Sequence, residues 1–246
     1  MAFWNRKSKS PITQEDELWI KEELQWIKNE IGEEEYFSLR TISPSDKIFD
    51  YKFDHSENDA KFLILEICKI YSLNPSNIKL KFFSETPQNF SEGYTMDPSD
   101  KMDKSWNSTL GTYSEQGKKI NISLELELLN STTGLIATIA HEIAHYKLLG
   151  EDRIVENDEY LTDLLCIVYG FGIFQANSKF SFGQWTGSSH QGWSMQTQGY
   201  LPDQIISFVL AKLKIERGEE DSWHKFLNQT SSKYYQKSIN YLTDNT

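Results

Sequence analysis

Cysteine is scarce in this chain: two residues in 246, Cys68 and Cys166, each inside an apolar helical pattern. Two separated thiols make no disulfide framework, and both are expected to be buried thiols rather than ligands. Histidine is scarce as well, with five residues. No run approaches the ~20 consecutive apolar residues of a membrane span. The start, Met1 to Ser10, carries a little positive charge with no apolar segment behind it, so it does not read as a secretory signal. Basic residues are outnumbered, 25 Lys and Arg against 36 Asp and Glu, for a formal net charge of −11. Such a surface repels a phosphate backbone. The expectation is a soluble, cytoplasmic protein with neither a nucleic-acid nor a membrane partner. Internal repeats and low-complexity tracts are lacking too.

What is present suits one α+β domain with a substantial core. Apolar residues make up 38% of the chain and aromatic residues 13%, so Trp, Tyr and Phe are expected to fill much of that core. Residues 1–50 read as an N-terminal helical segment. Thr13 and the acidic residues after it cap a helix whose apolar positions, Leu18 to Ile31, end at Gly32. Residues 51–175 hold the central part. A helix from Glu57 to Ser72 is stopped by Asn74-Pro75, and Ile78 to Phe82 alternates as a half-buried strand. Leu110 to Tyr113 and Lys119 to Leu128 read as the two arms of a hairpin. Residues 176–246 complete the same domain, with a helix from Gln204 to Arg217 and one or two short helices after it. Two polar stretches, 84–108 and 175–200, read as long loops, a kind that is often functional.

The five residues His141-Glu142-Ile143-Ala144-His145 are the centre of the reading. They spell H-E-x-x-H within an apolar helical run from Leu135 to Gly150. The i, i+4 spacing puts both imidazoles on one helix face, one turn apart, where they can share one Zn²⁺. Glu142 can then reach a metal-bound water as general base. Leu135, Ile136, Ile139, Ala140, Ile143, Ala144 and Leu148 surround the motif, so the helix is expected to be largely buried. Two His and a Glu inside a buried helix need partners, and a metal with its water supplies them.

Catalytic zinc sites usually take a third protein ligand and leave a fourth position for water. The extended pattern H-E-x-x-H-x-x-G-x-x-H fails, because Leu148 stands where Gly is needed and Glu151 where His is needed. A following helix supplies a carboxylate instead. Glu159 and Asp163 lie one turn apart, so Glu159 can bind the metal while Asp163 accepts the N–H of a ligand imidazole. Glu156, one turn earlier, and a nearby Asp are rival ligands.

With this set, the chain resembles the gluzincin metallopeptidases over residues 120–172. Their ligand helix carries a Glu followed four residues later by an Asp, the spacing of Glu159 and Asp163, often with a small residue where Thr162 stands. Asp158 departs from the Asn that precedes Glu in that pattern, and the interval from His145 to Glu159 is nearer to the compact gluzincins than to thermolysin. The resemblance implies a zincin-like core over 51–175, with a small mixed or antiparallel sheet beside the motif helix. It implies a zinc metallopeptidase, endopeptidase rather than exopeptidase, acting on a peptide or protein substrate. It also implies an oxyanion donor from a later segment, for which His190 and Tyr200 are the candidates, and pairing of the substrate with the strand Lys119 to Leu128. The two long loops would serve as lids. Phe180 to Phe182, Trp185 and Trp193 would line a specificity pocket or anchor the loop on the core. His55 and His224 read as ordinary.

Two other readings stand beside the peptidase. One keeps zinc but no catalysis, as a zinc-stabilised interaction or regulatory module. The other has no metal, and the tryptophans of the first helix form a protein-binding surface with the C-terminal aromatics. A structural site closes all four metal positions and has no use for Glu142.

Overall fold

The computed structural model describes residues 8–84, 111–116, 119–185 and 201–245, with the side chains of 111–116, 119 and 179–185 left aside. The chain is mostly helical. The longer early helices begin on side-chain caps that satisfy otherwise unpaired N–H groups. Thr13 and Asp16 form a capping box at α1 (Gln14–Ile31), and Ser56 and Asp59 form another at α3 (Glu57–Ile70). Between them lies the short α2 (Glu33–Ser38). Ser131 caps α4 (Thr132–Leu148), and Asp158 caps α5 (Glu159–Val168). The chain continues through α6 (Gly172–Trp185), α7 (Asp203–Arg217) and α8 (Gln229–Asp244).

Among the described residues, three strands make one small mixed sheet: β1 (Ile78–Phe83), β2 (Gly111–Gln116) and β3 (Lys119–Glu125), in the order β1-β3-β2. β3 runs parallel to β1, Ile78 opposite Ile120, and antiparallel to β2, Gly111 opposite Leu124. The mixed sheet agrees with the α+β expectation. Two details correct the sequence reading. β3 stops at Glu125, where its register with β1 ends, one residue after its register with β2, and the alternating leucines beyond it turn into a 3-10 helix, Leu126–Asn130. β3 is also paired on both sides, so no substrate strand can add to it.

α4 is the axis of the core. From Gly134 to Leu148 every residue but Thr138 is buried. α3, α5, α6 and β2 all contact it. A helix clad on all sides this way is fixed by its neighbours rather than by its own propensity. Tyr71 and Tyr169 stack behind it, ring centroids 4.0 Å apart, and the Tyr71 hydroxyl reaches the Ala140 carbonyl. Cys68 and Cys166 are both buried and free, as expected.

Two helices differ from the expectation. α6 runs to Trp185 through residues read as loop, because Ile173, Phe174 and Ala176 bury against the core and override the weak helix formers around them. α8 is one helix of 16 residues, not a short one, with Tyr235 and Ser238 buried. Among the described residues no helix is long and apolar enough to cross a membrane. The first polar stretch lies, from 85 onward, outside the described residues.

Gly170 joins α5 to the N-terminal segment. It has φ +99°, and its carbonyl accepts the Ile42 N–H at 2.9 Å. A Cβ there would press on the Arg40 carbonyl and lie 2.9 Å from Ile42 Cγ1. Gly170→Ala is therefore expected to lower stability by about 2–4 kcal/mol, read by denaturant unfolding. An unchanged midpoint would show that residues 40–42 yield freely.

Candidate metal centre

α4 presents His141 and His145 one turn apart, and α5 packs across them with Glu159 in its first turn. His145 Nε2 is 3.0 Å from His141 Nε2, Glu159 Oε2 is 3.0 Å from His141 Nε2, and it is 3.4 Å from His145 Nε2. The three atoms form a nearly regular triangle. The far nitrogen of each ring is held from behind. His141 Nδ1 lies 2.9 Å from Asp163 Oδ1, and His145 Nδ1 lies 3.3 Å from the Thr162 hydroxyl, which itself donates to the Asp158 carbonyl. Asp163 accepts only, so His141 donates to it from Nδ1; the imidazolium also donates from Nε2 to Glu159, and it is this Nε2 proton that a cation would replace. Glu159 Oε1 takes an N–H from Asn157 at 2.7 Å, leaving Oε2 for the triangle.

A tetrahedral zinc ion with bonds of about 2.0–2.1 Å holds its ligand atoms about 3.3 Å apart. The observed edges of 3.0, 3.0 and 3.4 Å come within a few tenths of that. Two imidazoles and one carboxylate converging this closely form a cluster able to hold a metal ion. Glu156 is exposed in the bend before α5 and is not part of the cluster.

The charges are arranged to match. Burial works against a charge on His141, but hydrogen bonds with Asp163, Cys166 and Glu159 outweigh it and hold the imidazolium well above its ordinary range. Burial depresses His145. Hydrogen bonds from His141 and His145 keep Glu159 well below the usual carboxylate range. Glu142 is the exception. It is 5% exposed, and its Oε2 has no hydrogen-bond partner among the described residues. Burial pushes its carboxyl up to about 7; His141 lowers it and Glu159 raises it.

A buried carboxyl with an unpartnered oxygen weakens the fold once it ionises. Below pH 4.5 it is protonated folded and unfolded, and nothing is lost. Between 4.5 and about 7 the unfolded chain ionises first, and the full penalty, about 3 kcal/mol, is present above 7. In metal-free protein, Glu142→Gln is expected to raise stability at pH 8 and to leave it unchanged at pH 4. Equal shifts at both values would assign the effect to packing instead.

Several residues singled out in the sequence stand elsewhere. His55 Nδ1 pairs with the Leu129 carbonyl and His224 Nδ1 with the Asp221 carbonyl, as befits ordinary histidines. Trp19 and Trp26 pack partly buried on the core, and Trp19 meets Tyr160 edge to face. His190, Tyr200 and Trp193, with the side chains of Phe180, Phe182 and Trp185, lie outside the described residues. The sequence reading missed the setting of the centre. Cys166 lies within hydrogen-bonding reach of His141 and Tyr71. Its position one turn after Asp163 on α5 could have shown this. Gln175 and the Leu201 N–H, which both bind Asp163, carried no signal in the sequence.

Comparison of the chain with protein-family models, with curated proteins and with solved structures finds no match in any of the three. Its class therefore rests on its own site: His141, His145 and Glu159, grouped as in a zinc site.

Proposed function

We propose that the protein is a zinc metallopeptidase of the gluzincin kind, built on a zincin-like core, that hydrolyses peptide bonds. One observation carries the reading: a buried Glu142 with an unpartnered oxygen, in the turn of α4 that bears the converging triangle of His141, His145 and Glu159. Two imidazoles and a carboxylate suit zinc among the divalent ions. His141, His145 and Glu159 would hold the cation, which would supply Lewis acidity to a water and to the substrate carbonyl. Glu142 would take a proton from the attacking water as the water oxygen adds to the carbonyl carbon and opens its π bond. The same proton then passes to the amide nitrogen as the C–N bond breaks. As the carboxylate Glu142 accepts the first transfer, and as the carboxylic acid it returns the second. Asp163 keeps the His141 ring in place, and Thr162 does the same for His145. His190 and Tyr200 are the proposed donors to the oxyanion.

Because β3 is paired on both sides, the substrate-pairing role passes to β2. This outer antiparallel strand contacts α4 and has no second strand partner among the described residues. A zinc-stabilised module without catalysis would have no use for a base beside the ion. The test is to incubate zinc-loaded protein with unstructured peptides, with and without a chelator. Cleavage that the chelator abolishes and zinc restores is the expected result. Zinc-loaded protein that leaves every peptide intact would favour the module.

A further inference from the structure

Asp163 is buried, and its carboxylate gathers donors from three separate parts of the chain. Oδ1 accepts from His141 Nδ1 on α4 and from Gln175 Nε2 on α6, both at 2.9 Å. Oδ2 accepts the Leu201 backbone N–H at 2.8 Å, two residues before α7 begins. A carboxylate can only accept, so the Gln175 amide must turn its NH₂ towards Asp163. The other end of that amide, Oε1, is buried with no hydrogen-bond partner among the described residues. The side chain is thus placed for the bond to Asp163 at the expense of its own acceptor.

We propose that Gln175 is a positioning residue for the metal centre: through Asp163 it fixes the His141 ring, and with the Leu201 N–H it couples cation binding to the seating of α6 and of the start of α7 on α5. The inference rests on reading the cluster as a cation site. Its physical basis is a shared oxygen. A cation on His141 Nε2 makes the Nδ1–H a stronger donor to Asp163 Oδ1, and the bonds to Gln175 and Leu201 hold that carboxylate where it must be to accept. Whatever Gln175 adds to cation affinity, the cation adds to these contacts in return. A purely structural Gln175, buried polar and merely satisfied, would show no such reciprocity.

The full chain tests this with the metal alone. Zn²⁺ affinity is measured by competition with a chromophoric chelator, and the ligand field by the visible spectrum of bound Co²⁺. Gln175→Met keeps the side-chain length and removes the donor. It is expected to weaken Zn²⁺ binding about tenfold and to shift the Co²⁺ spectrum. In an Asp163→Ala background the same change is expected to alter affinity by less than about twofold. In the parent protein, the Leu201 amide is expected to exchange with solvent more slowly with Zn²⁺ than with chelator.

Parent-like affinity in Gln175→Met overturns the proposal, as does an equal loss in both backgrounds. So does Leu201 exchange that ignores the metal, a measurement on the parent that decides the matter even if a variant does not fold. A parent that takes up neither Zn²⁺ nor Co²⁺ overturns the metal reading together with this one. A parent that binds, with Gln175→Met indistinguishable from it, overturns this one alone.

Discussion

Glu142→Gln is expected to keep the bound cation and to hydrolyse peptides about a hundred-fold to ten-thousand-fold more slowly than the parent. The amide has nearly the same shape as the carboxyl but cannot take a proton. Glu142 is not part of the converging triangle, so cation content should stay at the parent level. The loss should fall on kcat rather than KM, since the missing interaction belongs to the proton transfer and not to substrate binding. The base must be ionised to act, so parent activity rises with pH through the Glu142 titration. That limb lies below the value of about 7 that burial sets in the metal-free site, because a nearby cation favours the carboxylate. A fully loaded variant that cleaves as fast as the parent would remove Glu142 from the mechanism.

The second large effect is the competition between protons and metal. Without metal, His141 holds its proton well above the usual histidine range, whereas His145 and Glu159 are shifted towards the forms that bind a cation. The cation must therefore displace the proton on His141, and near pH 7 it also draws off part of the Glu142 proton. Zinc affinity is expected to rise about tenfold per pH unit across neutrality. It should rise more steeply at lower pH, where His145 is protonated as well. Calorimetric titration in buffers of different ionisation enthalpy should count about one proton released per ion at pH 8, where Glu142 is already ionised, and more than one near pH 7. A saturating ion at about a thousand times its Kd should add about 4 kcal/mol to stability. His141→Ala should abolish both the release and the stabilisation. Affinity independent of pH would mean that His141 is not a ligand.

The α4 part of the centre was legible because local chemistry and helix geometry agree there. His141, Glu142 and His145 stand in a fixed turn, and the apolar residues around them announce burial. Glu159 and Asp163 were legible for the same reason, as one turn of the next helix. β3 was overextended because alternation continues into Leu126 and Leu128, whereas a strand lasts only as long as its neighbours do. α6 was missed because Gly, Ser and Gln favour loops until tertiary burial outweighs them. Gln175 and the Leu201 N–H could not be found at all. Their meaning comes from a carboxylate 12 and 38 positions away, and a backbone N–H has no letter in a sequence.

The two imidazoles are walled into the interior, their side chains 9% and 7% exposed, while Glu159 stands 42% open. Traffic of ions between buffer and protein therefore passes the carboxylate. Its tether, the Asn157 amide, sits outside the helix that carries it. Departure of an ion would begin with the swing of one short arm, without loosening of the rod beneath. How long an ion stays is thus set at the rim of the molecule, and how well it is gripped is set at its middle.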